Sequence, residues 1–176
     1  MTLKQVRYYA IKKHELMNHR YGGAPYSDHL ERVVKTAQLF IEYIDPQEQE
    51  DVIGACWAHD LIEDTGVTLK ELESVTNKRV ADIVFCVSNE LGRTRKERNF
   101  KTYPKIWSSP LAVFVKCCDR LVNGEFSKMN NPRLFERYLI EYPVFRYALY
   151  ESGPYPRLWE ALDKLFMYSS ANALDK

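Results

Sequence analysis

Residues able to do metal chemistry gather in one stretch of this sequence, Val52-Ile-Gly-Ala-Cys-Trp-Ala-His-Asp-Leu-Ile-Glu-Asp-Thr-Gly66. It begins as an apolar helix pattern and ends in His59, Asp60, Glu63 and Asp64. Residues three and four apart share a helix face. The spacing therefore predicts one imidazole and three carboxylates on the last turn before Thr65-Gly66 stops the helix. Ionisable groups beside so apolar a run need partners or a metal. Two remote residues join them as candidates. His29 falls in the first turn of a predicted helix, and Asp119 lies inside an apolar one. Taken alone, His29 reads as a cap or surface residue and Asp119 as an ion-pair partner of Lys116 or Arg120. Taken together, His29, His59, Asp60 and Asp119 make a mixed nitrogen and oxygen set. Such a set suits a borderline or hard divalent metal with open coordination positions. It has no thiolate, which argues against structural zinc.

The elements that must position these groups read as helices throughout. Val6, Ala10, Ile11, Leu16 and Met17 are spaced for the buried side of a helix over 2–18. A break at 21–25 carries Gly22, Gly23 and Pro25. A second helix is expected over 27–43, with Leu30, Val33, Val34, Ala37, Phe40 and Ile41 as its stripe. Asp45-Pro46 reads as an N-cap with proline at the first helical position, opening a third helix that runs to about residue 64. Thr68 caps a short helix, and another follows over about 77–89. The run 93–105 is highly charged and fits either a helix or an ordered loop. Ser109-Pro110 opens a strongly apolar helix through Asn123. Asn and Pro at 130–132 separate it from a helix to residue 150, and a last helix reaches about residue 168. The tail 169–176 is expected to fray. Strand signals are thin, so the expected class is all-α: one compact helical bundle spanning 1–176, with its core motifs at about 20–123 and C-terminal helices at about 131–168.

The chain has 176 residues, enough for one domain with a real core, and is 45% hydrophobic. A formal charge of only +1 disfavours a duplex-binding surface. Cys56, Cys86, Cys117 and Cys118 form no C-x-x-C pair and read as reduced thiols. The first residues lack the long apolar segment of a secretory signal, and no stretch approaches about 18 uncharged apolar residues. A cytoplasmic protein acting on a small molecule is the expectation, with no membrane partner and the oligomeric state left open.

Three motifs carry a resemblance: Arg20-x-x-Gly-x-Pro-Tyr-x-x-His29, His59-Asp-Leu-Ile-Glu-Asp-Thr-Gly-Val-Thr68 and Val115-Lys-x-x-Asp-Arg-Leu-x-Asn123. In order and spacing they resemble the HD phosphohydrolase superfamily, and within it the RelA/SpoT-type hydrolase domain and the small alarmone hydrolases. Tyr142-Pro-x-Phe-Arg-x-x-Leu149 resembles short HD proteins of broader phosphohydrolase type. The resemblance implies a single HD domain without a synthetase or regulatory domain. It implies one Mn²⁺-like ion on His29, His59, Asp60 and Asp119. Glu63 and Asp64 would position or deprotonate the attacking water. Arg20 would contact a substrate phosphate, and Asn123 the nucleoside. The implied substrate is a nucleotide, first a (p)ppGpp-type alarmone losing its 3′-pyrophosphate. A (d)NTP, an NADPH-like dinucleotide or a non-catalytic nucleotide-binding regulator are the alternatives. Tyr21 stands where this family often carries a second basic residue, and the 93–105 run could supply phosphate contacts instead.

Overall fold

Helix starts follow the capping chemistry written into the sequence. In the computed structural model, which describes residues 2–168, α1 (Leu3–Leu16) opens at Thr2. Its hydroxyl accepts from the Gln5 N–H, and the Gln5 side chain accepts from the Thr2 N–H, a reciprocal capping box. The tail 169–176, expected to fray, lies outside the described residues. After α1 comes a minimal antiparallel ladder, β1 (Arg20–Tyr21) and β2 (Ala24–Pro25), with Arg20 opposite Pro25. Gly22 and Gly23 turn it at φ values of +57° and +91°, a region that L side chains rarely adopt. The expected break is thus a tight hairpin that folds back over the start of α2 (Ser27–Leu39).

The expected helix over 27–43 divides. α2 ends before Phe40, and a 3-10 turn, Ile41–Tyr43, follows. Asp45 does not cap the next helix. Its carboxylate accepts from the Gln47 N–H at 2.9 Å, a local turn bond that delays the start of α3 (Gln49–Ala58). The helix expected to continue to residue 64 is also interrupted. α3 stops before His59, and α4 (Leu61–Asp64) is a separate turn. Asp60 sits between them at φ −100° and ψ 0°, the bridge region that active-site residues often occupy.

The rest alternates short connections with helices: α5 (Leu69–Val75), α6 (Lys78–Val87), α7 (Arg95–Trp107), α8 (Pro110–Asn130), α9 (Pro132–Leu149), a 3-10 turn Tyr150–Ser152, and α10 (Pro156–Leu165). Thr68, Asn77, Thr94, Ser109 and Asn131 each cap the helix that follows by accepting from a first-turn N–H. The 93–105 run resolves into a short loop and α7. Apart from the one hairpin the regular structure of the described residues is helical, and the all-α expectation holds.

The core is organised on α8, which packs against α2, α3, α6, α7, α9 and α10. Val113, Phe114, Val115, Cys117 and Cys118 have no exposed surface. Each valine or phenylalanine so buried contributes roughly 1.5–3 kcal/mol. Gly124 lets α10 approach: a Cβ there would lie 2.6 Å from Phe166 Cζ and 2.7 Å from Leu165 Cδ2. α8 therefore presents Asp119 and Asn123 to the site from a rigid, buried rod. Among the described residues no helix is long and apolar enough to cross a membrane.

Candidate metal centre

His29 projects from the first turn of α2, His59 and Asp60 from the break between α3 and α4, and Asp119 from α8. His29 Nε2 and His59 Nε2 are 3.2 Å apart. Asp119 Oδ1 lies 3.3 Å from the first and 3.6 Å from the second. Asp60 Oδ2 lies 2.9 Å from His59 Nε2 and 3.6 Å from His29 Nε2. Both imidazoles are buried. His29, His59 and Asp119 form the cluster whose ligand atoms all fall within 4.8 Å of one another, and Asp60 reaches both histidines from the side.

The donor chemistry fits a divalent metal. His59 Nδ1 contacts the Cys56 carbonyl oxygen at 2.8 Å; an oxygen of that kind only accepts, so Nδ1 carries a hydrogen, and once the ring is neutral Nε2 is the nitrogen that offers a lone pair. His29 Nδ1 is buried without a partner. Two ring nitrogens and the Asp119 oxygen thus gather around one point, with an Asp60 oxygen beside them, a donor set of the kind that suits a divalent cation.

The interruption of the expected helix has a local reason. With α3 stopped at Ala58, His59 turns back on Cys56, and Asp60 is free to face the same point as His59. Tyr26 fastens it by donating its hydroxyl hydrogen to Asp60 Oδ2 at 2.5 Å. Both readings of Asp119 are present. Lys116 Nζ pairs with Asp119 Oδ2 at 3.3 Å, leaving Oδ1 for the histidines. Arg120 turns away, to Glu141 Oε2 at 3.3 Å.

The charges of this cluster set its acidities. Burial works to raise Asp119, but the Lys116 charge and the hydrogen bonds of His29 and His59 hold its carboxyl well below the usual range. Asp60 is likewise pushed up by burial and down, more strongly, by the charge and hydrogen bond of His59. Burial acts to lower His59, and the two carboxylates raise it well above an ordinary imidazole. Asp64 differs. Burial, then the negative charges of Asp60 and Glu63, push its carboxyl up to about 7.

A cavity opens beside the cluster. It is lined by the acids Asp60, Glu63, Asp64 and Asp119 and by the bases Arg95, Arg98, Lys116 and Arg120. Glu63 accepts from Asn89 twice, at 2.7 Å from Nδ2 and 3.2 Å from the backbone N–H. Asn123 also lines the cavity. Its amide donates to Asp119 Oδ1, and its oxygen accepts from Tyr21 Oη at 3.2 Å. Arg20 is exposed, bonds Asn18 at 3.3 Å and lines a neighbouring cleft rather than this cavity.

The fold divides the charged 93–105 run. Arg95, Arg98 and Asn99 face the cavity, whereas Lys101 and Lys105 pair with Glu97 and Glu90 at 2.7 Å and 2.6 Å. Glu141, a residue that no motif singled out, holds Arg95 Nε at 2.6 Å as well as Arg120. Tyr138 lies beneath both guanidinium groups, 5.5 Å and 4.6 Å from its ring centre. Among the described residues Arg98 has no carboxylate partner and reaches only the Gly92 carbonyl oxygen, at 3.5 Å. The buried Tyr103 hydroxyl, on a cavity-lining residue, has no partner either.

No protein-family model matches the chain. Its sequence is 33% identical over 117 residues to the guanosine-3′,5′-bis(diphosphate) 3′-pyrophosphohydrolase MESH1 of Danio rerio, a match covering 65% of this chain. The chain spans 63% of the length of that relative. A solved structure of a metazoan ortholog of SpoT, a protein described as hydrolysing ppGpp with a part in starvation responses, has the same fold. The TM-score is 0.79 at 22% identity, over 94% of this chain and 93% of the other. The chain is thus similar in sequence to MESH1 and in fold to the SpoT ortholog, with His29, His59 and Asp119 set around one point.

Proposed function

We propose that this protein is a metal-dependent phosphohydrolase of a nucleotide, acting first on (p)ppGpp-type alarmones to remove the 3′-pyrophosphate. The carrying observation is the juxtaposition of the His29, His59 and Asp119 cluster, with Asp60 beside it, and a cavity lined by both carboxylates and guanidinium groups. A phosphorylated ligand has its reacting group at one end and its remaining charge at the other. The MESH1 relative supports the same reading. The described residues are taken as a single HD domain, placed in the cytoplasm.

His29, His59, Asp60 and Asp119 would hold one divalent ion, taken as Mn²⁺. A bound divalent ion lowers the pKa of water and screens phosphate charge. Asp64 takes the proton of the attacking water, its carboxyl being tuned close to neutral pH. Glu63, held by Asn89, helps to position that water. Arg98 and Arg95 face the more distant phosphate; a guanidinium offers two parallel donors to such a group. Asn123 keeps one donor hydrogen and one acceptor lone pair beyond those spent on Asp119 and Tyr21, and these are directed to the nucleoside. Arg20 contributes at the rim, where its exposed guanidinium is free to meet a phosphate entering the site.

The test is incubation of the purified protein with Mn²⁺ and, separately, ppGpp, ordinary (d)NTPs and NADPH, with chromatography of the products. Release of pyrophosphate from ppGpp is expected. Cleavage of a (d)NTP or NADPH with ppGpp untouched overturns the alarmone assignment and keeps the phosphohydrolase.

A further inference from the structure

The β1–β2 hairpin carries one residue, Tyr21, against two members of the metal cluster at once. Its hydroxyl lies 3.2 Å from Asn123 Oδ1, and the Asn123 amide meets Asp119 Oδ1 on its other side. A carboxylate only accepts. The amide nitrogen must therefore face Asp119, the amide oxygen must face Tyr21, and the phenol must donate. The direction of the chain from Tyr21 through Asn123 to Asp119 is fixed by that ionised end. Asp119 Oδ1 spends one lone pair on the amide and keeps the other toward His29 and His59, 3.3 Å and 3.6 Å away. Its second oxygen is held by Lys116.

The ring of Tyr21 lies against the His29 imidazole, with centroids 4.7 Å apart and planes 36° from parallel. The two histidines are oriented by different means. His59 has the Cys56 carbonyl oxygen on Nδ1, a common arrangement for a metal-binding imidazole. His29 Nδ1 is buried with no hydrogen-bond partner, so packing must hold its ring. Tyr26 is the other tyrosine beside it, at 5.2 Å, but that ring is itself stacked on His14 and His19, 4.4 Å and 4.7 Å away. Tyr21 is closer to His29, and Phe126 of α8 backs it at 4.2 Å between centroids. The hairpin is pressed down on α8 here: a Cβ at the adjacent Gly22 would overlap the Phe126 ring.

We propose that Tyr21 is a positioning residue of the metal centre: its hydroxyl sets the Asp119 carboxylate through Asn123, and its ring sets the His29 imidazole. The two ligands stand on different helices, α8 and α2, and Tyr21 ties both to the hairpin. Tyr21 is not among the residues that line the cavity, so its effect falls on the ion. This rests on the metal-binding part of the reading above and is independent of the substrate.

The experiment measures Mn²⁺ affinity by titration calorimetry without nucleotide, with thermal unfolding in chelator as a check on folding. It compares the wild type, Tyr21→Phe, Tyr21→Leu, Asn123→Ala and the double variant Tyr21→Phe with Asn123→Ala. Tyr21→Phe keeps the ring and loses only the hydroxyl. Its affinity should be about 3- to 10-fold lower, with a Tm in chelator close to that of the wild type. In the Asn123→Ala background the same substitution should change affinity by less than about 2-fold, because the chain it acts through is already cut. Tyr21→Leu, which also takes the ring from His29, should bind more weakly than Tyr21→Phe. Unchanged affinity in Tyr21→Phe overturns the proposal, and so does an equal loss with and without Asn123, which would mark a merely structural tyrosine. A folded Tyr21→Leu that binds as well as Tyr21→Phe overturns the part given to the ring. A wild type that binds no Mn²⁺ overturns the proposal together with the metal centre. One that binds Mn²⁺ and hydrolyses none of the nucleotides overturns only the hydrolase reading.

Discussion

His29 Nε2 and His59 Nε2 approach to 3.2 Å, although the two residues lie on different helices and each ring is buried. Two lone pairs at that distance repel unless a proton or a metal lies between them. Asp60 closes the set from the helix break. Asp60→Ala should therefore bind far less metal than the wild type when both are purified without chelator and compared by elemental analysis. Equal content would remove Asp60 from the ligand set.

The two acids after the cluster are bonded differently. Glu63 is occupied by Asn89, whereas Asp64 faces the cavity and His19. Asp64→Asn should lose about 10²–10⁴-fold in kcat while keeping metal and nucleotide binding. Glu63→Gln should lose turnover as well, but less. Steady-state kinetics with a parallel binding measurement separates the two effects, and the reverse ranking would transfer the proton-accepting part to Glu63.

Arg98 is the cavity cation left without a carboxylate partner among the described residues. Arg98→Ala should raise KM for ppGpp about 10-fold or more with a smaller change in kcat, the signature of lost ground-state binding. Arg20→Ala should have a weaker effect on KM, since Arg20 is outside the cavity lining. A larger effect from Arg20 would place the second phosphate at the hairpin.

Asp64 also makes stability depend on pH in metal-free protein. Its carboxyl is raised from 3.8 to about 7 by burial and by Asp60 and Glu63. The folded state then keeps a proton that the unfolded chain releases. The associated stability is fully present below the unfolded value and is lost as pH rises through about 7. Asp64→Asn cannot ionise. Its Tm should match the wild type near pH 4 and exceed it by a few degrees above pH 7, in calorimetry with chelator present. A difference that does not vary with pH would contradict this.

Gly124→Ala tests the packing that holds α8 in place. The added methyl would meet Phe166 and Leu165 well inside contact distance. Overpacking of this kind costs about 1–3 kcal/mol, visible as a lower Tm by thermal unfolding.

Much of the site was readable because its signals are local. The His59-Asp60 pair, Glu63, Asp64 and the Ser109, Thr68 and Asn131 helix starts all depend on neighbours within one turn. The break at His59 was not readable, since an apolar run followed by polar residues has the same spacing in one helix or two. Glu141, His14 and His19 gave no sequence signal. Glu141 matters through Arg95, 46 residues away, and Arg120, 21 residues away. His14 and His19 gain meaning only when Tyr26 stacks against both. Arg20, which the resemblance directs to a substrate phosphate, lies in the cleft that neighbours the cavity and shares Tyr26 with it.

The pairing of Lys116 with Asp119 has a further consequence, for how the protein behaves when metal is scarce. Lys116 and the histidines already balance much of the carboxylate charge, so the fold does not depend on the ion for electroneutrality. Chelation should silence the protein without unfolding it. Reloading must expel a proton from His59, whose imidazole, despite burial, the neighbouring carboxylates raise well above its ordinary value, so metal uptake should increase with rising pH. Occupancy should then follow both the free metal concentration and the acidity around the protein.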